Sequence, residues 1–358
     1  MATALGGDLL GLLAVASVTG EERALADLLE VRAQRHGLPV RRVGNSLTVG
    51  VMADDRPTVL LVAHLDTVPP TDADRVPRRE GDRLVGRGAS DMKAGLAVAL
   101  SVLEDPALRD AARAPVLVCY AREEGPIEDS ELPALLAAVP QLAGADLAVV
   151  LEPTDGEVQL GCIGGLHAEV TFSGVAAHSA RPWQGRNALT AAGPLLADLD
   201  GRAAEEVVVD GLRFAEVLVA TQARTANARN VVPDRFTLNL NYRFAPDKTL
   251  DQAAQRLTAV VGDVAQVTVV DRAPAAAPRR DAAEVAAFAA AAGGPVGPKQ
   301  AWTDVARFAE LGVPALNYGP GLTAQAHQAG EYVPEPALGA ARDVLARYLD
   351  DRTMARTG

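Results

Sequence analysis

The sequence predicts an α/β protein in which a mainly parallel sheet, flanked by helices, forms a larger domain that carries a smaller inserted domain. Three observations favour this fold class. The chain has 358 residues, more than one ordinary domain holds. Before about residue 160, short apolar stretches alternate with helical ones, which is typical of a parallel sheet covered on both faces. After residue 165 the order becomes β-α-β-β-α-β, a compact unit in its own right.

The larger domain begins with a helix and continues with alternating strands and helices. Thr19 and Glu22 have the spacing of a capping box, and the helical pattern that follows them closes at Gly37. Apolar runs of strand length are TVLLVAHLDT, APVLVCYAREE and DLAVVLEPT, and DMKAGLAVALSVLED has helical periodicity. Strands that alternate with helices in this way are expected to lie parallel.

The inserted domain is predicted over residues 165–273. Its strands are expected at LHAEVTFSG, AEVLVATQART, RFTLNLNYRFA and AQVTVVDRA, and its helices at GRNALTAAGPLLADLDG and DQAAQRLTAVVG. The Gly-rich GCIGG before it and the Ala/Pro-rich RAPAAAPRR after it are the expected linkers. The larger domain then comprises residues 1–164 and 274–358, resuming with the helix EVAAFAAAAG and the strand VPALNYG.

Composition excludes several classes of partner. The net charge is -12 and no basic stripe is present, which argues against a nucleic-acid-binding protein. No run approaches the ~18 apolar residues of a membrane span. The apolar opening lacks a basic segment and carries Asp8, so no secretory signal is expected. Cys119 and Cys162 lie far apart in apolar stretches, which favours reduced thiols and a cytoplasmic protein.

Metal-binding residue types follow the predicted strands of the larger domain. Open parallel sheets place ligands beyond the carboxyl ends of their strands, so these residues are expected at one edge. Singly, each is more often an ordinary loop residue, and Asp91 is equally an N-cap. Together they predict a site, because five separate segments bring metal-competent side chains to the same edge. The residues are His64, Asp66, Asp91, Glu123, Glu124, Glu152 and His327.

Two imidazoles with several carboxylates suit Zn²⁺, or Co²⁺ and Mn²⁺ less selectively. The ligand count indicates two ions, of which His64 and Glu152 hold one while Glu124 and His327 hold the other. Asp91 is expected to bridge the two ions.

Two carboxylates near these ligands receive other roles. Asp66 is expected to accept a hydrogen bond from His64 and fix its tautomer. Glu123 is left without a ligand role, and a carboxylate beside two cations is well placed to move protons between water and a leaving amine.

Seven motifs, in order along nearly the whole chain, resemble those of the co-catalytic zinc exopeptidase and deacylase family. This family includes aminoacylases, acetylornithine deacetylase, glutamate carboxypeptidases and succinyl-diaminopimelate desuccinylase. The resemblance implies the metal roles above and a homodimer made through the inserted domain, with His178 reaching the partner subunit's site to polarise the scissile carbonyl. The motifs are AHLDTVP, GRGASDMKAG, REEGP, LEPT, AHSARPWQGRNA, RNVVPDRFTLNLNYRF and AHQAGEYV.

Within the family, AHSARPWQGRNA, NYRFAPD and WTDVARFAELGVPALNYGPG are most similar to the actinobacterial desuccinylases. This branch hydrolyses N-succinyl-L,L-diaminopimelate, a small N-acyl amino acid with three carboxylates. The resemblance implies that Arg243 and Arg307 bind substrate carboxylates while Asn230 and Thr303 supply neutral hydrogen bonds. Bidentate pairing with carboxylates favours arginine over lysine in such a role.

Two alternatives remain at this point. One is another deacylase or carboxypeptidase of the family, such as acetylornithine deacetylase, because GCIGGL, Arg229 and GLTAQA depart from the desuccinylase pattern. The other is an inactive binding protein of the same fold, which would be expected to lack a ligand or Glu123.

Overall fold

The structure is a computed structural model that describes residues 2–351. By contacts between residues the chain divides into two units. The first unit runs to Gly161 and includes Arg279–Gly297 and the chain from Thr303 onward. The second unit comprises Cys162–Pro278 and Pro298–Trp302.

The first unit is built on an eight-stranded sheet with helices around it. Its helices are α1 (Ala2–Leu13), α2 (Arg23–Arg35), α3 (Lys93–Leu103), α4 (Pro106–Arg109), α5 (Leu132–Ala138), α9 (Ala283–Ala292), α10 (Val305–Glu310) and α11 (Glu335–Asp350). Its strands are β1 (Val40–Val43), β2 (Ser46–Val49), β3 (Thr58–His64), β4 (Arg78–Glu80), β5 (Arg83–Val85), β6 (Ala114–Tyr120), β7 (Leu147–Val150), β8 (Val158–Leu160), β16 (Val296–Pro298), β17 (Ala315–Asn317) and β18 (Tyr332–Pro334).

The large sheet has the strand order β1-β2-β6-β3-β7-β17-β8-β16. Its centre is parallel, because β3 pairs parallel with β6 and β7, and β7 pairs parallel with β17. Antiparallel strands lie outside this centre on both sides, where β2 pairs with β6 and β8 with β17. A separate small sheet has the order β18-β5-β4. The α/β fold class with a mainly parallel central sheet is therefore confirmed.

The core of the first unit lies around β3, β6 and β7, which are buried along their whole length. Helix α3 is buried at ten of its eleven positions, consistent with a sequence that is apolar apart from Lys93 and Ser101. Gly95 in α3 permits close packing, because a Cβ there would lie 2.5 Å from the backbone oxygen of Leu151. Among the described residues, no helix is long and apolar enough to cross a bilayer.

The start of α2 differs from the capping-box prediction, which is wrong. The helix begins at Arg23, and its N-cap Glu22 makes no side-chain capping bond. The Thr19 hydroxyl instead donates to Asp66 Oδ2 at 3.0 Å. A residue 47 positions away has taken the hydroxyl that the local spacing assigned to the helix.

The second unit is a five-stranded antiparallel sheet in the order β11-β12-β14-β9-β15, with helices on one face. It has the predicted β-α-β-β-α-β order with β11 added as a hairpin partner of β12, while β10 and β13 pair separately. Its elements are β9 (Gly164–Ser173), β10 (Ala177–His178), α6 (Ala188–Ala191), α7 (Gly193–Gly201), β11 (Glu205–Val209), β12 (Leu212–Arg224), β13 (Val231–Val232), β14 (Arg235–Phe244), α8 (Leu250–Val261) and β15 (Gln266–Ala273).

Alternation along β9 and β14 produces the apolar core of the second unit. Phe172, Leu240 and Phe244 are buried on the inner face together with Leu257 of α8. The segment Pro298–Trp302 joins this unit although it lies far along the chain. Gln300 exchanges two hydrogen bonds with the backbone of Ala215, at 3.0 and 2.5 Å.

Candidate metal centre

The central parallel strands end at one edge of the large sheet. His64, the last residue of β3, is in register with Tyr120, the last residue of β6. The end of β7 is in register with both β3 and β17. The segments that carry Glu123, Glu124 and Glu152 therefore leave the sheet at the edge where His64 lies.

Two histidines and two carboxylates meet at this edge. His64 Nε2 lies 3.0 Å from Asp91 Oδ1, and His327 Nε2 lies 3.6 Å from Asp91 Oδ2 and 2.8 Å from Glu124 Oε2. One ligand atom each from His64, Asp91 and Glu124 lies within 4.8 Å of the others. Glu152 Oε1 is 4.0 Å from His64 Nε2. Asp91 thus lies between the two imidazoles, with one oxygen toward each.

Asp66 organises the backbone of this centre. His64 Nδ1 lies 3.0 Å from the backbone oxygen of Asp66 and 3.6 Å from its carboxylate. The carboxylate instead accepts from the backbone N–H groups of Glu123 and Glu124, both at 3.0 Å, and from the Thr19 hydroxyl. The expected bond from the His64 ring is therefore made to the carbonyl of Asp66, because its carboxylate is occupied by the loop that carries the two glutamates.

The carbonyl contact determines the tautomer of His64. A carbonyl oxygen only accepts, so Nδ1 carries a proton, while Nε2 donates to Asp91 Oδ1 when the ring is protonated and becomes available as a ligand when that second proton leaves. Burial opposes a charge on His64, but the hydrogen bond to Asp91 and the surrounding carboxylates outweigh it and raise its pKa well above the usual value. The hydrogen bond to Glu124 likewise raises the pKa of His327, against partial burial.

Glu123 lies in the same concentration of negative charge. Burial raises the pKa of its carboxyl well above the usual value, His64 lowers it, and Glu152 and Asp304 raise it further.

His327 adopts a left-handed backbone conformation with φ of 62°, which is uncommon for a residue with a side chain. Such conformations cluster at functional sites.

The donor set fits divalent cations. Imidazole nitrogens and carboxylate oxygens are the ligands of zinc and related ions, and Nε2 of His64 faces a carboxylate with which it could share a cation. Both cysteines are buried and form no disulfide bond, and neither belongs to this group of ligands.

A neighbouring network was not anticipated from the sequence. Tyr120 donates to Asp304 Oδ2 at 2.5 Å, and Arg307 Nε lies 2.7 Å from Asp304 Oδ1. Arg307 also donates to the backbone oxygen of Ile127 at 2.8 Å. Thr303, like Asp304, is buried at the start of this segment. The Arg307 guanidinium, which is expected to bind substrate, is therefore held by protein groups. Asp304 lies in the same motif as Thr303 and Arg307, and the sequence pattern assigns it no role.

Three further predicted residues belong to the second unit. His178 ends β10 and is exposed, and its Nδ1 accepts the N–H of Ala180 at 3.0 Å, which leaves the proton of the neutral ring on Nε2. Asn230 adjoins β13, and its backbone oxygen accepts from Ser179 at 2.9 Å. Arg243 is partly buried, and burial lowers the pKa of its guanidinium.

The candidate metal ligands lie on a fold that solved peptidases share. A model of peptidase family M20/M25/M40 matches residues 60–351, and the chain belongs to that family.

Named relatives cover almost the whole chain. A Mycobacterium tuberculosis strain H37Rv protein assigned as a succinyl-diaminopimelate desuccinylase is 39% identical over 342 residues, covering 94% of this chain and 96% of that protein. A succinyl-diaminopimelate desuccinylase from Corynebacterium glutamicum is 34% identical over 97% of this chain and 98% of that protein. An acetylornithine deacetylase from Myxococcus xanthus is 30% identical over 86% of this chain and 83% of that protein.

Solved structures share the fold at low sequence identity. A tripeptidase from Staphylococcus aureus has a TM-score of 0.77 at 19% identity and covers 98% of both chains. The Bacillus subtilis protein YXEP, described as a dinuclear metal-binding peptidase, has a TM-score of 0.71 at 15% identity, covering 97% of this chain and 98% of that one.

Proposed function

We propose that this protein is a metal-dependent amide hydrolase, a succinyl-diaminopimelate desuccinylase that converts N-succinyl-L,L-diaminopimelate and water to succinate and L,L-diaminopimelate. The observation that carries the proposal is the placement of Asp91 between the two imidazoles, with Glu124 against His327. The substrate class rests on the desuccinylase relatives at 39% and 34% identity, against the acetylornithine deacetylase at 30%.

Two divalent cations are proposed as the cofactors, with zinc the best match to the donor set. His64 and Glu152 would hold one ion, Glu124 and His327 the other, and Asp91 both. The 4.0 Å between His64 Nε2 and Glu152 Oε1 is the longest separation that one ion can span, since each ligand lies about 2 Å from zinc. Bound cations supply Lewis-acid activation of water and of the amide carbonyl.

Glu123 is proposed to move the proton. Its carboxylate would take a proton from the attacking water and give it to the nitrogen of the leaving amine. A carboxyl whose pKa is raised by burial and by neighbouring carboxylates suits this task, because it must both accept and release a proton near neutral pH. Asp66 Oδ1 accepts the backbone N–H of Glu123 at 3.0 Å and so fixes the backbone position from which the Glu123 side chain extends.

The second unit is proposed to contribute substrate groups. His178 has its Nε2–H directed away from its own backbone contact, and that proton could polarise the scissile carbonyl in the partner subunit of a homodimer. Arg243 would bind a substrate carboxylate, and Asn230 would donate hydrogen bonds to the substrate.

From the first unit, Thr303 is proposed to form a hydrogen bond with the substrate. Arg307 is proposed to bind a substrate carboxylate while its guanidinium is held by Asp304. We also propose a homodimer formed through the inserted second unit and a cytoplasmic location, which is consistent with the absence of a disulfide between Cys119 and Cys162.

Rates on two substrates test the proposed function. The zinc-loaded enzyme should hydrolyse N-succinyl-L,L-diaminopimelate with a higher kcat/KM than N-acetylornithine, and a chelator should abolish both activities. A preference for N-acetylornithine would reject the substrate, and activity that survives complete metal removal would reject the mechanism.

A further inference from the structure

A buried carboxylate outside the predicted ligand set holds the loop that carries Asp91. Glu331 is 1% exposed, and its Oε1 accepts the backbone N–H groups of Ser90 and Asp91 at 2.8 and 2.9 Å. Its Oε2 accepts the backbone N–H of Gly88 at 3.0 Å and Arg87 at 2.9 Å. Both oxygens are thus occupied by donors from the four residues 87, 88, 90 and 91.

A second carboxylate braces this arrangement from the other side. Asp74 Oδ2 lies 3.0 Å from both the Arg87 guanidinium and the backbone nitrogen of Gly330. Arg87 therefore links Asp74 to Glu331, and all three side chains are buried. Because Glu331 follows His327 by four residues, the loop of one candidate ligand is fastened directly to the segment of the other.

We propose that Glu331 is a positioning residue for the metal centre, fixing the carboxylate of Asp91 relative to His327. The inference rests on the metal centre proposed above. The backbone nitrogen of Asp91 is bonded to Glu331, while its two carboxylate oxygens face the two histidines at 3.0 and 3.6 Å. A displacement of this backbone moves both oxygens together, so both halves of the centre depend on it.

The chemistry of the contact requires a carboxylate. All four partners of Glu331 are donors, so an amide in its place would turn its NH₂ group against at least one N–H. Glu331→Gln replaces one of the two acceptor oxygens with a donor while conserving the size of the side chain. The donors left without an acceptor can regain one only if the loop of residues 87–91 shifts.

The second unit offers a matched control. Glu216 is 3% exposed and is likewise saturated by donors, from the Ala245 backbone at 2.8 Å, Lys248 at 2.5 Å and the Tyr242 hydroxyl at 2.8 Å. Glu216→Gln disrupts an equally buried carboxylate that holds no candidate metal ligand. Any effect shared by the two variants reports the loss of a buried anion rather than a role in the metal centre.

The experiment is a Co²⁺ titration of the full-length protein, followed by visible absorption and equilibrium dialysis. Glu331→Gln should weaken Co²⁺ binding about 10- to 100-fold and alter the Co²⁺ absorption bands, while Glu216→Gln binds as the wild type does. At saturating metal the loss in activity should fall on kcat rather than KM. Wild-type affinity and spectrum in Glu331→Gln would overturn the inference alone, and absence of Co²⁺ binding by the wild type would overturn the metal centre itself.

A milder variant guards against failure of Glu331→Gln to fold. Arg87→Lys keeps the positive charge but replaces a rigid planar fork, whose two terminal nitrogens contact Glu331 and Asp74 separately, with one nitrogen on a flexible stem. It should weaken Co²⁺ binding severalfold while retaining cooperative unfolding. Unchanged Co²⁺ affinity in Arg87→Lys would contradict the positioning role.

Discussion

Glu123→Gln and Glu124→Gln apply the same substitution to adjacent residues for which different roles are proposed. Glu123 lies outside the group of mutually close ligand atoms, whereas Glu124 belongs to it and contacts His327 at 2.8 Å. Both backbones are anchored to Asp66 through N–H groups that the substitutions leave in place. The loop is therefore expected to keep its conformation in both variants.

The expected size of the Glu123→Gln effect follows from its proposed role. General acid–base catalysis contributes about 10²- to 10⁴-fold to a rate, equivalent to about 2.7 to 5.4 kcal/mol in activation free energy. Metal content should stay at the wild-type level, because an amide removes no ligand. Thermal stability of the metal-free protein should be retained, because the substitution removes a carboxyl whose charged form is disfavoured by burial and by the neighbouring carboxylates.

The assay combines initial rates at saturating zinc with metal analysis of the same samples. Glu124→Gln should instead lose bound metal and leave His327 without its partner. A kcat for metal-replete Glu123→Gln within about threefold of wild type would be too small a loss for acid–base catalysis and would refute the proton-transfer role. Loss of metal in Glu123→Gln with retention in Glu124→Gln would show that the two roles are exchanged.

Three further predictions concern pH, the buried ion pair and helix packing. Because the pKa values of His64 and His327 are raised, zinc must displace protons from these rings, and zinc affinity should rise with pH until the pH exceeds those pKa values. Calorimetry at pH 7 in buffers of different ionisation enthalpy should show proton release, and identical heats of binding would contradict this. Arg307→Met strands the buried carboxylate of Asp304 and should destabilise the fold by about 3–5 kcal/mol in urea unfolding, whereas a raised KM at unchanged stability would indicate a role in substrate binding alone. Gly95→Ala places a Cβ 2.5 Å from a backbone oxygen beyond β7 and should cost about 1–3 kcal/mol, and unaltered stability would refute the tight packing.

Local patterns were sufficient for the sheet edge. The apolar run of β3 ends at His64 and that of β6 ends shortly before Glu124, and parallel strands end together, so the approach of these two residues follows from the strand pattern. The capping box failed for the opposite reason. Thr19 has the spacing required to cap α2, but its hydroxyl donates to Asp66 on another segment instead. Local spacing does not report acceptors that are distant in the sequence.

The groups that support the ligands were decided only by the tertiary structure. Tyr120 and Asp304 are separated by 184 positions, and Asp91 and Glu331 by 240. In the sequence, Glu331 and Asp304 resemble ordinary surface carboxylates. A periodic pattern indicates which face of an element is buried, but it does not indicate which hydrogen-bond donors lie on that face. A buried carboxylate is tolerated only where donors meet it, and that meeting exists only once the chain has folded.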